Sequence, residues 1–362
     1  MVDLVPDQPR KGRGAISNAS SRYESLTRHA IDDGWNLPDD DLPPIRTLVT
    51  AERPKTIIAR NASPDVPFDR SINPYRGCEH GCIYCFARPS HAHHGLSPGL
   101  DFESRLFYKR DAAALLEAEF RKPSYRCRMI QLGANTDPYQ PIERNLGITR
   151  QILDVLSRFN HPVGITTKSS LVTRDIDILA PMAEHRLAFV GISLTTLERG
   201  LARRLEPRAP TPVQRLRAME KLAAAGIPII VMAAPIIPGL NDHELERILE
   251  AAAEVGASAA NFLLLRLPLE IKKLFTEWLA AHAPDRAEHI LTLIRQCRDG
   301  KLNQSQWGTR MRGTGEYAEL ISQRFRLACK RNRLAETRPT EFRFSTALFC
   351  PPPRSGDQLG LF

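Results

Sequence analysis

The chain has 362 residues, 42% of them hydrophobic, and a net charge of +9 at neutral pH. This length is sufficient for one large α/β domain with extensions, and without a run of eighteen apolar residues the sequence excludes a membrane-spanning helix. Seven cysteines, an odd number in a chain this long, do not indicate a disulfide framework. The first residues lack the basic and apolar segments of a secretory signal, so we expect a cytoplasmic protein.

Residues 1–65 are rich in polar, charged and proline residues and are predicted to form a poorly ordered or wrapping extension. From residue 66 onwards, apolar runs typical of strands alternate with amphipathic patterns typical of helices. Strands are predicted at 70–74, 128–134, 163–167, 187–194, 227–234 and 259–265, and helices at 111–121, 145–159, 174–185, 212–225, 243–255 and 269–281.

These strands and helices form six successive strand–helix units. The apolar strand runs are unbroken, which indicates a parallel sheet covered by helices. Right-handed crossovers curl such a sheet, and six units are too few to close an eight-stranded barrel. We therefore predict an α/β fold, a partial (β/α)6 TIM-like barrel of parallel strands, over residues 66–284.

The C-terminal part of the chain divides into two regions. Residues 285–345 are predicted to be helical and basic, since ten lysines and arginines accompany four acidic residues between 301 and 343. That excess fits either a solvated helix face or a nucleic-acid surface. Residues 346–362 are predicted to be a flexible, proline-rich tail, whose last five residues place two apolar anchors beyond a stiff spacer. Such a peptide suits a hydrophobic pocket on a partner, or alternatively the protein's own surface.

Three cysteines in one short run are the most informative motif. Cys78, Cys82 and Cys85 are separated by three and then two residues, and Phe86 follows at once. A structural zinc site usually takes four ligands, with cysteines in two separated pairs, whereas iron–sulfur clusters are held by cysteine thiolates. Three thiolates on a cluster of four irons leave one iron open for chemistry. A zinc loop or three unligated thiols are the alternatives.

This run resembles the signature of the radical S-adenosylmethionine (radical SAM) superfamily. The resemblance implies a [4Fe–4S] cluster held by Cys78, Cys82 and Cys85, with the amino and carboxylate groups of S-adenosylmethionine on the open iron. It also implies that Phe86 lies against the adenine, and we expect the neighbouring Tyr84 to line the cofactor site. The implied fold is again a partial (β/α)6 barrel. The implied reaction is reductive cleavage of the cofactor to methionine and a 5′-deoxyadenosyl radical, with a reductase, flavodoxin or ferredoxin as electron donor.

The wider pattern resembles the spore photoproduct lyase-like branch, also called DNA repair photolyase-like. The matching residues are Asn73–Cys78, Thr136-Asp137, Lys168, Ser193, Glu206-Pro207, Ala234-Pro235-Ile236 and Trp307-Gly308. By that resemblance Thr136, Lys168 and Ser193 contact the cofactor. Among the strand ends at 134–138, 167–168, 193–196 and 234–239, Lys168 is also the single cation. Barrel sites gather at such ends, and its ammonium group could bind the methionine carboxylate. An ordinary surface lysine is the alternative.

One position departs from that branch. Spore photoproduct lyases carry a hydrogen-donating cysteine just before the pair that matches Thr136-Asp137, and here Ala134 takes its place. Cys127 cannot substitute, because it lies seven residues upstream on the same predicted strand, roughly 23 Å away and on the opposite face. Literal repair of spore photoproduct is therefore not expected. Either another residue donates the hydrogen, with Tyr84 and Tyr139 as candidates, or the reaction differs.

The remaining four cysteines are expected to be buried structural thiols; they are Cys127, Cys297, Cys329 and Cys350.

Together these features predict a radical SAM enzyme acting on a nucleic acid, with DNA favoured, in repair or modification. The terminal peptide resembles the motif by which bacterial repair proteins bind the replication sliding clamp. Gln358, Leu359, Leu361 and Phe362 match it, and Gly360 departs from it. Two alternatives stay open: modification of RNA or a peptide by the same radical chemistry, and a non-catalytic Fe–S redox sensor that binds DNA or the clamp.

Overall fold

The computed structural model describes residues 8–24, 44–336 and 344–353. Its strands are β1 (Leu48–Glu52), β2 (Ala59–Arg60), β3 (Arg70–Ile72), β4 (Tyr75–Arg76), β5 (Arg105–Lys109), β6 (Ile130–Leu132), β7 (Val163–Thr167), β8 (Ala188–Ser193), β9 (Ile229–Ile236), β10 (Ala259–Leu264) and β11 (Ala335–Glu336). The larger sheet has the order β11-β10-β9-β8-β7-β6-β3-β2. All neighbouring strands from β3 to β11 are parallel, and only β2 runs antiparallel. The predicted α/β fold with a parallel, barrel-like sheet is confirmed.

Helices separate the parallel strands. They are α1 (Asp101–Ser104), α2 (Ala112–Phe120), α3 (Glu143–Leu146), α4 (Ile148–Arg158), α5 (Ile176–Glu184), α6 (Arg199–Leu205), α7 (Pro212–Ala224), α8 (Leu245–Glu254), α9 (Ile271–His282), α10 (Ala287–Gln296) and α11 (Gly315–Arg331). Local signals explain their limits: Thr211 accepts a hydrogen bond from the Gln214 amide at the start of α7, and Pro212 follows it. Among the described residues, no helix has the length and apolar character needed to cross a bilayer.

The core lies between the central strands and the helices that cover them. Every residue of β8 is buried, and Ile165, Ile192 and Val231 on three neighbouring strands are essentially inaccessible to solvent. This burial explains why the strands read as continuous apolar runs rather than as alternating patterns.

A second sheet of three short strands, β1-β5-β4, was not predicted. Four of the five residues of β1 are exposed, and β4 has two residues. Neither strand therefore carries a hydrophobic pattern that sequence analysis could detect. The sheet shows that part of the predicted N-terminal extension pairs with β5 and is regular structure.

The two edges of the larger sheet are joined across the open side of the partial barrel. The turn that precedes β3 carries Asp65, and the segment that precedes α11 carries Gly308 and Arg310. The Gly308 amide donates to Asp65 Oδ1 at 2.7 Å, and the Arg310 guanidinium forms an ion pair with the same carboxylate. Residues distant by more than 240 positions thus bridge the lateral opening.

The described part of the predicted flexible tail is packed, contrary to expectation. Phe349 lies in an aromatic cluster with Phe120, Tyr125, Phe159 and His161, and the Cys350 amide donates to the Phe159 carbonyl at 3.1 Å. Because β7 begins at Val163, this cluster lies at the amino-terminal edge of the sheet. The clamp-like residues Gln358, Leu359, Leu361 and Phe362 lie outside the described residues.

The four cysteines outside the motif differ in burial. Cys297 and Cys329 are buried as predicted, and Cys127 is partly buried. The prediction for Cys350 was wrong, because its side chain is exposed while the neighbouring Phe349 packs into the aromatic cluster.

Candidate cluster and cofactor site

The three motif cysteines lie on one compact loop, residues 77–88, which we call the cluster loop. Cys78 and Cys82 are 7% exposed and Cys85 is partly buried; all three are free thiols. Short turns bring them together, since the Gly81 amide donates to the Cys78 carbonyl at 3.3 Å and the Cys85 amide to the Cys82 carbonyl at 3.2 Å. Gly81 has a φ of +66°, which only glycine adopts readily.

A fully buried arginine holds the backbone of the cluster loop. Arg88 Nε donates to the Cys82 carbonyl at 2.9 Å, and its terminal nitrogens donate to the carbonyls of Gly81 and Gly99. Its charge is balanced by Glu103 Oε1 at 2.5 Å, also fully buried. A planar guanidinium can satisfy several carbonyl groups at once, so Arg88 fixes the direction of the loop from beneath.

The N-terminal segment completes this arrangement. The Gly14 and Ala15 amides donate to the two carboxylate oxygens of Glu103 at 2.9 and 2.8 Å, and Arg13 donates to the Glu103 carbonyl at 2.6 Å. Gly14 approaches the loop so closely that a Cβ atom would lie 1.9 Å from the Gly81 carbonyl oxygen. Residues near the start of the chain thus form one wall of the cluster loop.

Gly14→Ala is expected to displace this segment, lower the free energy of unfolding by about 2 kcal/mol and reduce iron content after reconstitution, because the added methyl group collides with backbone. Chemical denaturation and iron analysis measure both effects. Gly200→Ala in α6 is the matched control, since its Cβ would meet only the ends of two side chains, Glu198 Oε1 at 3.3 Å and Arg204 Nη1 at 3.7 Å. Equal iron content in the two variants would contradict the role given to the segment.

The cluster loop suits a [4Fe–4S] group. Burial raises the pKa of all three thiols, that of Cys82 to about 12, and the carboxylate of Asp137 adds to the rise at Cys78. Three thiols that share one buried space are stabilised as thiolates when bound to positive irons. In the described part of the chain, no three His, Cys, Asp or Glu side chains are arranged around a single metal ion. A [4Fe–4S] cluster needs thiols that are more widely spaced than the ligands of a single metal ion, because each thiolate binds a different iron.

Two predicted residues meet at the carboxyl ends of neighbouring strands. Lys168 follows β7, and its Nζ donates to the hydroxyl of Ser193 at the end of β8 at 3.1 Å. Ser193 in turn donates to the Ala234 carbonyl on β9 at 3.0 Å. Burial alone would lower the pKa of Lys168, but the nearby acidic groups Cys82 and Glu206 hold it above its usual value. A positive ammonium group therefore lies near the cluster loop.

Glu206 is a buried carboxylate whose charge acts on the Lys168 ammonium group. It is buried and accepts hydrogen bonds from the Tyr84 hydroxyl, from Thr195 Oγ1 at 2.6 Å and from Arg215. Burial alone would raise the pKa of Glu206, but the charges of Arg215 and Lys168 hold it at about 2. The hydrogen bond to Glu206 thus fixes the Tyr84 side chain, whose ring centroid lies 5.8 Å from Lys168 Nζ.

The loop after β6 ties the site together through Asp137. Its carboxylate accepts from Thr167 Oγ1 at 2.6 Å and from the Lys168 amide at 2.8 Å, and it lies 3.3 Å from His80 Nδ1 of the cluster loop. Thr136, predicted as a cofactor contact, donates its hydroxyl to the Tyr75 carbonyl at 2.8 Å and is buried. The Thr136 hydroxyl therefore stabilises the backbone just before the cluster loop.

The two tyrosines considered as hydrogen donors differ in position. The Tyr139 hydroxyl donates to Asp175 Oδ2 at 3.0 Å, just before α5, in a fully buried position. The Tyr84 hydroxyl is engaged by Glu206, close to Lys168. Both tyrosines therefore donate their hydroxyl hydrogen to a buried carboxylate, and Tyr84 is the one in contact with the Lys168–Ser193 pair.

Phe86 faces the open mouth of the barrel. It is 49% exposed, unlike the buried residues around it, and the guanidinium carbon of Arg266 lies 5.8 Å from its ring centroid. Arg266 follows β10, so the mouth is bounded by the first and last parallel strands of the barrel.

Comparison with known proteins identifies the family. The Radical SAM superfamily model matches residues 72–252, half of the chain, including the cluster loop and the ends of β6 to β9. The chain belongs to the radical SAM superfamily. The predicted superfamily is confirmed, and with it an enzyme that uses a [4Fe–4S] cluster and S-adenosylmethionine.

Relatives and solved structures agree with this assignment. The chain is 36% identical over 233 residues to uncharacterized proteins of Mycobacterium tuberculosis and Mycobacterium bovis, covering 64% of this chain and 68% of theirs. It superposes on spore photoproduct lyase with bound AdoMet and dinucleoside spore photoproduct with a TM-score of 0.58 and 15% identity, over 82% of each chain. At that identity the likeness establishes the shared fold.

Sequence reasoning missed the residues that support the site from beneath. Arg88, Glu103 and Arg215 were not singled out, and Glu206 was noted only as part of a matching dipeptide. Their partners lie between 6 and 122 positions away in the chain, without a regular spacing. No local pattern could have revealed these pairs.

Proposed function

We propose that Cys78, Cys82 and Cys85 hold the cluster, that Lys168, Ser193 and Phe86 contact S-adenosylmethionine, and that the radical acts on a nucleic acid, with DNA favoured. The observation that carries this proposal is the convergence of a buried three-thiol loop and the Lys168–Ser193 pair at one mouth of the barrel. A shared fold with spore photoproduct lyase over 82% of both chains supports the substrate class.

When bound and reduced, the cluster supplies the electron that cleaves S-adenosylmethionine to methionine and a 5′-deoxyadenosyl radical. The chain's own residues orient the reactants. Lys168 offers an ammonium group to the methionine carboxylate, and Ser193 and Tyr84 fix where that ammonium lies. The exposed ring of Phe86 provides a flat apolar surface for the adenine. Thr136 contributes by holding the backbone before the cluster loop.

Lys168→Met is expected to raise the dissociation constant for S-adenosylmethionine about 10- to 100-fold, because a charge-assisted hydrogen bond to the carboxylate is lost. Equilibrium binding to the reconstituted, unreduced enzyme measures this directly. Lys221→Met on exposed α7 is the matched control and is expected to bind as the wild type does. Equal affinities in the two variants would remove Lys168 from the cofactor site.

Charge and shape at the mouth favour a nucleic acid. The segment that bridges the open side carries Trp307, which is 58% exposed, and the guanidinium of Arg266 lies 5.8 Å from the exposed Phe86 ring. Aromatic rings that stack bases beside cationic side chains are the usual elements of single-strand binding. Ala134 stands where a hydrogen-donating cysteine would be needed for spore photoproduct repair, so we propose repair or modification of another site in DNA.

Isotope transfer tests the substrate class. Abstraction moves one hydrogen atom from a substrate carbon to C5′ of the cofactor fragment, so perdeuterated substrate yields deuterated 5′-deoxyadenosine. The dithionite-reduced enzyme is incubated in separate reactions with deuterated DNA, RNA and protein, and the product is analysed by mass spectrometry. Deuterium from DNA, undamaged or irradiated, is the expected result. Label only from RNA or protein would favour the alternative substrates, and no cleavage in any reaction would favour the redox sensor.

We also propose that residues 358–362 bind the replication sliding clamp. The packed segment around Phe349 lies at the amino-terminal edge of the sheet, and the active-site mouth lies at the carboxyl edge. The last described residues of the tail, up to Pro353, therefore lie away from the mouth.

The double variant Leu361→Ala/Phe362→Ala is expected to weaken clamp binding at least about tenfold, because burial of each apolar side chain contributes roughly 1.5–3 kcal/mol. Binding to immobilised clamp measures the effect, with Ser355→Ala as the control in the same tail. Unchanged affinity in the double variant would refute the tail interaction without affecting the radical chemistry.

A further inference from the structure

Arg266 lies at the mouth, and none of the described residues forms an ion pair with it. Its Nε is buried and has no hydrogen-bond partner in the described part of the chain, and its Nη1 donates to the Met311 sulfur at 3.6 Å. Sulfur is a weak acceptor. A half-buried guanidinium without an anionic partner is costly, because burial removes water that would otherwise solvate the charge.

The surroundings of Arg266 add positive charge instead of neutralising it. Arg310 is close enough to oppose its charge, and burial together with Arg310 lowers the pKa of Arg266. The carboxylate in this environment, Asp65, already pairs with Arg310 and accepts from the Gly308 amide. Asp65 therefore closes the open side of the barrel and is committed to other partners.

The position of Arg266 is fixed from both sides. The Leu264 amide donates to the Met311 carbonyl at 3.0 Å, and the Leu267 amide donates to Asn303 Oδ1 at 3.2 Å. The neighbouring Arg298 donates to the carbonyls of Leu264, Leu265 and Arg310, which fastens the strand end to the bridging segment. The guanidinium thus projects from a rigid base toward Phe86.

We propose that Arg266 binds a backbone phosphate of the nucleic-acid substrate, in a subsite between Phe86 and the bridging segment that carries Trp307. This inference rests on the proposed function and names the group that this part of the mouth recognises. A phosphodiester supplies the acceptor oxygens and the negative charge that the guanidinium lacks. A phosphate bound to Arg266 would place the adjoining nucleotide within the barrel mouth. That nucleotide would lie beside Phe86, at the edge of the surface proposed for the adenine.

The test uses the reconstituted enzyme with S-adenosylmethionine and a short fluorescein-labelled single-stranded oligodeoxynucleotide. Anisotropy titrations at several salt concentrations compare wild type, Arg266→Gln and Arg266→Lys. The matched control is Arg158→Gln, an exposed arginine at the opposite edge of the sheet that pairs with Glu117 and Asp154. Thermal unfolding and iron content check that each variant is folded and loaded.

Arg266→Gln is expected to weaken oligonucleotide binding about tenfold and to reduce the slope of log K against log salt by about 0.7, the value for one phosphate contact on a single strand. Arg266→Lys should keep the slope and lose part of the affinity, since its charge remains while the fork geometry does not. Arg158→Gln should match the wild type. An oligonucleotide with uncharged methylphosphonate linkages should bind wild type and Arg266→Gln equally.

The outcomes separate this inference from the proposed function. If the wild type binds the oligonucleotide, and Arg266→Gln binds it with the same affinity and the same salt slope, the Arg266 subsite alone would be overturned. A raised dissociation constant for S-adenosylmethionine with unchanged oligonucleotide binding would move Arg266 to the cofactor and equally overturn the subsite. Failure of the wild type to bind the oligonucleotide, with binding of polyglutamate instead, would overturn the nucleic-acid substrate itself and with it the phosphate.

Discussion

Cys82→Ala is expected to abolish reductive cleavage of S-adenosylmethionine, with a loss of at least about 10³-fold in the formation of 5′-deoxyadenosine. The side chain is buried among the other two motif thiols, and its removal leaves two protein ligands where the cluster needs three. The carbonyl of residue 82 would still accept the hydrogen bond from Arg88, so the loop keeps its support. The loss can therefore be attributed to the missing thiolate.

Two measurements check this expectation under anaerobic conditions. Iron per protein should fall from about four to a small fraction of that value, and chromatography should detect no 5′-deoxyadenosine after reduction with dithionite. Cys329→Ala is the matched control, because this thiol is also buried but belongs to the core beneath α11. It should retain both iron and cleavage. Normal iron content in Cys82→Ala would show that the cluster is held elsewhere.

Glu206→Gln should produce the largest loss of stability among single substitutions at the site. The amide can still accept from Tyr84 and Thr195, but it cannot balance Arg215 and Lys168. Removing one member of a buried ion pair leaves the other charge uncompensated and typically costs 3–5 kcal/mol, so a decrease of about 3 kcal/mol in the free energy of unfolding is expected. Denaturant titration of the cluster-free protein measures it.

The control for this variant is Glu250→Gln on the exposed face of α8, where loss of a carboxylate should change stability by less than about 0.5 kcal/mol. In the double variant Glu206→Gln/Arg215→Met, part of the lost stability should return, because the uncompensated guanidinium is removed as well. A change below about 1 kcal/mol in Glu206→Gln would mean that water or another anion neutralises Arg215, contrary to the closed arrangement described above.

The fold could be predicted from the sequence because its elements depend on local patterns. Each of the six predicted strands and each of the six predicted helices lies within three residues of the limits found in the structure, whereas the two-residue parallel strand β11 was not predicted. The short β1-β5-β4 sheet was missed because its exposed or two-residue strands carry no periodic signal. The packing of Phe349 was missed because an isolated aromatic residue in a proline-rich segment does not reveal the cluster that receives it.

The site was predicted in part for a similar reason. Parallel strands place their carboxyl ends at one edge, so Lys168 and Ser193 could be expected near each other, and the structure brings them to 3.1 Å. Thr136 could be placed near the mouth, but the use of its hydroxyl could not, since its partner Tyr75 lies 61 positions earlier.

Local stretches of the chain are sufficient to recognise the chemistry: three cysteines with a fixed spacing, a lysine at a strand end and the alternation of strand and helix patterns that builds a parallel barrel. Each of these features is read from residues that are neighbours in the chain. How that chemistry is held depends on tertiary contacts. The Arg13–Glu103–Arg88 contacts, the Tyr84–Glu206–Arg215 contacts and the bridge at Asp65 join segments that have no regular relation in the chain. Their partners are set by where folding brings buried charges together, because a charge removed from water must find a compensating group wherever the packed chain supplies one.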